Sequence, residues 1–146
     1  TSTRRGDVVE DAVEALLVKA KIPFVRTGSH DQGEIARRFN VSVRPTPDFV
    51  VHEQRNVLAA MIECKIANDG GTARDKAARY RSLRTEGTRL GGIPVVAVLA
   101  GLGWKRTRDA LGPVVRDTDG RVFTMQSLMA ILETQPFPRL AGLAAN

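Results

Sequence analysis

Residues 57–66 read Val-Leu-Ala-Ala-Met-Ile-Glu-Cys-Lys-Ile, an apolar run of strand length with two opposite charges near its end. A run this apolar reads as a buried strand. Residues two apart in a strand face the same way, so Glu63 and Lys65 project together. Ala59 and Met61 are expected behind them, with Leu58, Ala60, Ile62, Cys64 and Ile66 on the other face. Burying unpaired charge costs several kcal/mol. The end of this strand must therefore meet something that compensates Glu63 and Lys65.

The flanking pattern supplies the rest of a sheet. Val9, Val13, Leu16, Leu17 and Ala20 recur at the helical period and predict a first helix over 6–20. Residues 22–27 read as a strand, 28–33 as a loop and 34–39 as a short helical turn. Pro45 and Pro47 force an extended approach to a strand at 48–52. The polar residues 53–56 turn the chain into the strand at 57–66. Asn68 to Gly71 break it, and Thr72 is the expected N-cap of a helix lasting to about residue 86. A buried strand follows at 93–99, then a helix at 104–111, a strand at 121–123 and a last helix carrying Met125, Leu128, Met129 and Leu132. The order predicts an α/β fold, a mixed central sheet flanked by helices on both faces.

The hairpin across residues 53–56 brings Asp48 toward the same sheet end as Glu63. Two carboxylates there can hold a divalent cation, and hard oxygen ligands favour Mg²⁺, with Mn²⁺ expected to substitute. Lys65 beside them can orient or deprotonate an attacking water and offset charge on a phosphate. Glu10 sits at the edge of the first helix's apolar stripe and is the helix acid favoured to reach the cation. Glu14 lies further round toward solvent.

Pro47-Asp48, with Glu63-Cys64-Lys65 fifteen residues after Asp48, resembles the signature of the PD-(D/E)xK nuclease superfamily. That group includes restriction endonucleases, Holliday-junction resolvases and RecB-like nuclease domains. Its αβββαβ core matches the order expected here from about residue 6 to residue 100. The resemblance implies that Asp48 and Glu63 ligate the metal, with the Cys64 carbonyl as a further ligand. It implies that Lys65 positions the water and stabilises the phosphorane-like transition state, and that Glu10 matches the acid many members place on the first helix. It gives the Cys64 side chain no catalytic role, in keeping with a small buried residue. The RecB-like branch carries a Gln-xxx-Tyr pair on the helix after the lysine. Here Tyr80 is present but Lys76 replaces the Gln, so the resemblance is nearer to restriction-endonuclease-like defence proteins. Residues 1–134 are read as the nuclease domain and 135–146, with Pro136 and Pro138, as a tail or linker.

Charge points the same way. The 146 residues carry 22 Lys and Arg against 16 Asp and Glu, a net charge of +6, which suits a nucleic-acid partner. Arg74, Lys76, Arg81 and Arg84 on the helix after Thr72, and Lys105 and Arg106 beside Trp104, are the expected DNA contacts. Tyr80 is expected in the core. Of the two histidines, His52 lies on the Asp48 side of its strand and His30 in a loop; both are expected to be structural or to touch substrate rather than to act as a base. One cysteine and two distant histidines give no zinc spacing. The lone cysteine and the lack of a signal-peptide pattern predict a cytoplasmic setting, and no apolar run is long enough to span a membrane.

A Mg²⁺-dependent endodeoxyribonuclease is therefore the expected function, with a homodimer for cutting both strands. The rivals are a junction resolvase, a RecB-like repair nuclease, or a non-catalytic DNA-binding module on the same fold. A chain beginning at Thr1 is expected to be a processed product or an excised domain. On the second expectation, target recognition belongs to a domain or subunit outside this chain.

Overall fold

The computed structural model describes residues 2–28, 33–105 and 108–144; His30 and Arg106 lie outside them. The chain runs through α1 (Ser2–Lys19), β1 (Phe24–Arg26), α2 (Glu34–Phe39), β2 (Phe49–His52), β3 (Leu58–Ile66), α3 (Gly70–Arg89), β4 (Val95–Ala100), α4 (Arg108–Asp117), β5 (Val122–Phe123) and α5 (Phe137–Leu140). The five strands form one sheet in the order β1-β2-β3-β4-β5. The meander β1-β2-β3 is antiparallel, while β4 and β5 return parallel after helical crossovers. This is the expected mixed sheet. Its longest strand, β3, lies at the centre and is bonded on both edges.

Each face of the sheet is buried. Val9, Val13 and Leu17 lay α1 against Phe49, Val51, Ala60, Ile62 and Cys64. On the other face, α2, α3 and α4 cover Val50, Met61, Ala97 and Leu99 through Ile35, Ala73, Tyr80, Leu83 and Val114. Period-2 alternation holds along β3 from Ala60 onward. It breaks at its start, where Ala59 packs with the α1 face and Leu58 with the other. The cause is a register shift between Val51 and His52, which leaves His52 opposite Leu58.

Several boundaries differ from the sequence expectation. Asp69, not Thr72, caps α3: its carboxylate accepts from the Thr72 N–H at 2.8 Å and from the Thr72 hydroxyl at 2.9 Å. A short carboxylate at the N-cap reaches the third residue's donor, so Thr72 falls inside the first turn. The helix continues past residue 86 to Arg89, and Glu86 and Arg89 pair across its last turn at 2.7 Å. Gly91 and Gly92, both at positive φ, end it. The helix expected at 104–111 is split. Leu102–Lys105 is a 3-10 turn, and α4 begins at Arg108 and runs through Pro113. Gly101, at φ +95°, and Gly103 let that turn press on the Ala67 and Asp69 backbone, where any Cβ would collide.

The last predicted helix is a 3-10 segment, Leu128–Glu133. Three residues per turn put Leu128 and Ile131 in the core and leave Met125 and Met129 exposed. The residues expected as a tail or linker continue into α5, where Phe137 and Leu140 have no exposed surface. Backbone N–H groups of Gly142 and Ala144 bond to the carbonyls of Ala20 and Lys21, tying this segment to the end of α1.

Candidate active site

The β2–β3 register pairs Phe49 with Ile62, so the next step back along β2 sets Asp48 opposite Glu63. Asp48 precedes the strand, and side chains replace the ladder there. The Asp48 N–H donates to Glu63 Oε1 at 2.9 Å, and the Cys64 N–H donates to Asp48 Oδ2 at 2.8 Å. The Thr27 N–H, donating to the Asp48 carbonyl at 2.9 Å, holds the same residue from the β1 side. The Thr27 hydroxyl donates to the Pro47 carbonyl. Two carboxylates are thus held side by side at one end of the sheet.

Helix α3 closes this end. Lys65 Nζ stands 3.3 Å from Glu63 Oε2, and Arg79 Nε donates to the same oxygen at 2.9 Å. A second Arg79 nitrogen donates to the Thr46 carbonyl at 2.6 Å. Tyr80 is fully buried, as expected, and its hydroxyl donates to the Glu63 carbonyl at 2.8 Å. Lys76 Nζ donates to the Ile66 carbonyl. Glu63 itself is 1% exposed, while the Lys65 side chain is 28% exposed. The carboxylate is walled in and the ammonium reaches the surface.

Electrostatics at this point favour a cation. Burial, followed by the neighbouring Asp48 carboxylate, pushes the Glu63 carboxyl up to about 7, although Lys65 and Arg79 pull it down. Burial and then the carboxylates of Asp48, Glu10 and Glu63 raise the Cys64 thiol, so this side chain stays neutral and inert. In an extended strand the N–H and C=O of one residue point to the same edge. Since the Cys64 N–H reaches Asp48, its carbonyl also points to the Asp48 side. Two carboxylates and a main-chain oxygen form a hard donor set that suits Mg²⁺ or Mn²⁺ with waters completing the shell. A divalent charge there would offset the Asp48 repulsion that, after burial, raises Glu63.

Glu10 is placed differently from this pair. It stands on α1, over the opposite face, with its carboxylate 3.5 Å from Arg26 Nε. Asp11 and Glu14 meet the same guanidinium at 2.7 and 3.2 Å. Among the described residues no three His, Cys, Asp or Glu side chains converge as a ready metal cluster. The donors brought together are Asp48, Glu63 and the Cys64 backbone.

The basic residues divide into two groups. Arg74 and Arg81 are exposed on α3, and Lys105 is exposed on the following turn. Arg84 is engaged, 2.9 Å from Asp119 and bonded to the Arg116 carbonyl at 3.2 Å, which locks α3 to the end of α4. Trp104 is 4% exposed and covers the sheet rather than offering a stacking surface. His52 closes the far end of β2, about 13 Å of strand from Asp48. Its ring lies edge-on to Phe39 at 5.1 Å, with Nδ1 2.7 Å from the Glu53 carbonyl. Burial lowers its pKa, which keeps it neutral.

Sequence reasoning missed Arg79 and Arg26. Arg79 is one residue before Tyr80 on α3, and only the packing of α3 on β3 turns it toward Glu63. Arg26 alternates to the α1 face of β1, where a run of three acids on α1 awaited a partner.

A family model described as DpnII restriction endonuclease matches residues 2–133. No curated protein and no solved structure matches the chain.

Proposed function

Because the chain belongs to the DpnII restriction endonuclease family, we propose that it is a PD-(D/E)xK nuclease that cuts DNA with Asp48, Glu63 and Lys65. The observation that carries this reading is the pair of carboxylates, Asp48 and Glu63, braced against each other beside a partly exposed lysine. Asp48, Glu63 and the Cys64 carbonyl are the groups to hold Mg²⁺, with Mn²⁺ as a substitute. Glu10 is proposed as an outer acid, released from Arg26 when DNA and cation are bound. When bound, the cation supplies charge neutralisation at the scissile phosphate and acidifies a water.

The chain's own residues do the rest. Lys65 Nζ, paired with Glu63, reaches the surface, where its N–H groups can orient the attacking water, whose proton passes to solvent. Its positive charge then stabilises the extra negative charge as the new P–O bond forms and the 3′ or 5′ oxygen leaves. Cys64, Ile62 and Ile66 hold the strand on the opposite face. Arg74, Arg81 and Lys105 contact the phosphate backbone, which positions DNA without reading bases. Lys76 and Arg84, already bonded within the protein, contribute to the surface potential. Arg106 is grouped with Lys105.

Cutting both strands calls for two sites, so a homodimer is proposed, acting in the cytoplasm, with target recognition shared by a domain or subunit outside this chain. Among the described residues no helix is long and apolar enough to cross a membrane. The test is cleavage of linear duplex, four-way junction and single-stranded DNA in Mg²⁺ and in EDTA. Duplex cleavage that requires Mg²⁺ is expected. Cleavage that persists in EDTA removes the cation from the mechanism, and preference for the junction makes the chain a resolvase.

A further inference from the structure

We propose that Arg79 is a positioning residue that holds the Glu63 carboxylate in register with Asp48 and so sets the affinity of the pair for the cation they would hold. The inference rests on the cation-dependent reading above and assigns it a residue outside the Asp-Glu-Lys set. An ionised carboxylate offers about four acceptor positions. On Glu63, the Asp48 N–H takes one on Oε1, while Lys65 and Arg79 engage Oε2. The remaining capacity is on Oε1, the oxygen beside Asp48. Arg79 thus selects which Glu63 oxygen is left to bind.

The same guanidinium also bonds the Thr46 carbonyl, two residues before Asp48. One side chain therefore joins the two segments that carry the carboxylates. Tyr80, the next residue of α3, holds the Glu63 carbonyl, and Lys76 holds the Ile66 carbonyl. Three residues of α3, Lys76, Arg79 and Tyr80, thus fix the end of β3. A planar guanidinium makes two directed bonds at once, whereas lysine offers the same charge at a single point. Partners that orient ligating carboxylates typically change metal affinity by about 10–100-fold. Arg79 also borders an open cleft of about 530 Å³ with Arg44, Pro45 and Thr46, so a direct contact to DNA is the rival role.

Arg79→Lys separates geometry from charge. Mg²⁺ is titrated calorimetrically into the full chain without DNA, and duplex binding is measured separately in EDTA. Wild type is measured first, and wild type that neither binds Mg²⁺ nor cleaves DNA removes the underlying reading. With wild type active, the variant is expected to bind Mg²⁺ about tenfold more weakly. The Mg²⁺ concentration for half-maximal cleavage should rise in parallel, with duplex affinity unchanged. Unchanged Mg²⁺ affinity overturns the proposal, and lost duplex affinity with unchanged Mg²⁺ affinity assigns Arg79 to the DNA instead. If the variant fails to fold, the Arg79 Nε–H resonance of wild type decides. It should exchange slowly with water and persist when Mg²⁺ is added; its disappearance on adding Mg²⁺ overturns the proposal.

Discussion

Glu63→Gln should shift the stability of the metal-free protein, relative to wild type, progressively upward as pH rises, while abolishing cleavage. The Glu63 carboxyl is pushed from 4.5 to about 7, first by burial and then by Asp48. A raised acid in the folded state means that the unfolded chain gives up its proton first. Wild-type stability is therefore fully present below the unfolded value near 4.5 and is lost as pH rises through about 7. At roughly 1.4 kcal/mol per unit, the ionised carboxylate costs the fold about 1 kcal/mol at pH 5 and about 3 kcal/mol at pH 8. Its side chain is 1% exposed, so solvent screening does not shrink these figures. The amide sets an NH₂ against a donor, Asp48 N–H or Arg79, a pH-independent cost of about 1–3 kcal/mol. The informative quantity is thus the change with pH. In EDTA, urea unfolding of the two proteins should show their stability difference shifting by about 2–3 kcal/mol in the variant's favour from pH 5 to pH 8. A difference that stays flat, or moves the other way, refutes the reasoning that this carboxylate is held against its own preference.

Phe137→Ala should destabilise the protein by about 3–5 kcal/mol in chemical denaturation, because Phe137 is fully buried in the cluster that includes Phe49, Ile62 and Val96. A loss below about 1 kcal/mol means that the C-terminal segment lies outside the core. Glu86 shows the opposite linkage to Glu63. The hydrogen bond from Arg89, aided by the Arg44 N–H at 2.7 Å, holds its carboxyl down at about 2. That stability is present above the unfolded value of 4.5 and is lost as pH falls through about 2. The advantage of wild type over Glu86→Gln should accordingly hold at neutral pH and shrink between these values in pH-dependent unfolding; an advantage that grows toward acid contradicts the assignment.

The centre of the site was legible because it depends on strand geometry alone. Period 2 along β3 puts Glu63 and Lys65 together, and the length of the 53–56 turn brings Asp48 opposite Glu63. Helix contacts are a different matter. The face that α3 turns to the sheet follows from Ala73, Ala77, Tyr80 and Leu83, but the reach of Arg79 past that face to Glu63 depends on helix tilt and a long side chain. Local patterns failed where two readings compete. Thr72 and Asp69 are both good N-caps, and the Asp69 carboxylate sits where the chain leaves β3 and takes the Thr72 N–H. Pro113 suggests a stop, yet α4 passes through it. Met125 and Met129 mimic a helical stripe, while the 3-10 spacing of Leu128 and Ile131 is what reaches the core. A segment with two prolines read as a tail, although Phe137 and Leu140 fill a gap that only the assembled sheet and α1 create.

Single-turnover cleavage of duplex DNA by Lys65→Ala, alongside its duplex affinity, addresses the proposed chemistry without disturbing the brace beneath it. Glu63 keeps its bonds to Asp48 and Arg79 in that variant, so the fold and the cation donors stay in place. A loss of about 10²-fold or more in the cleavage rate, with DNA binding retained in EDTA, is the predicted result. Cleavage at the wild-type rate would contradict the account by removing Lys65 from the reaction.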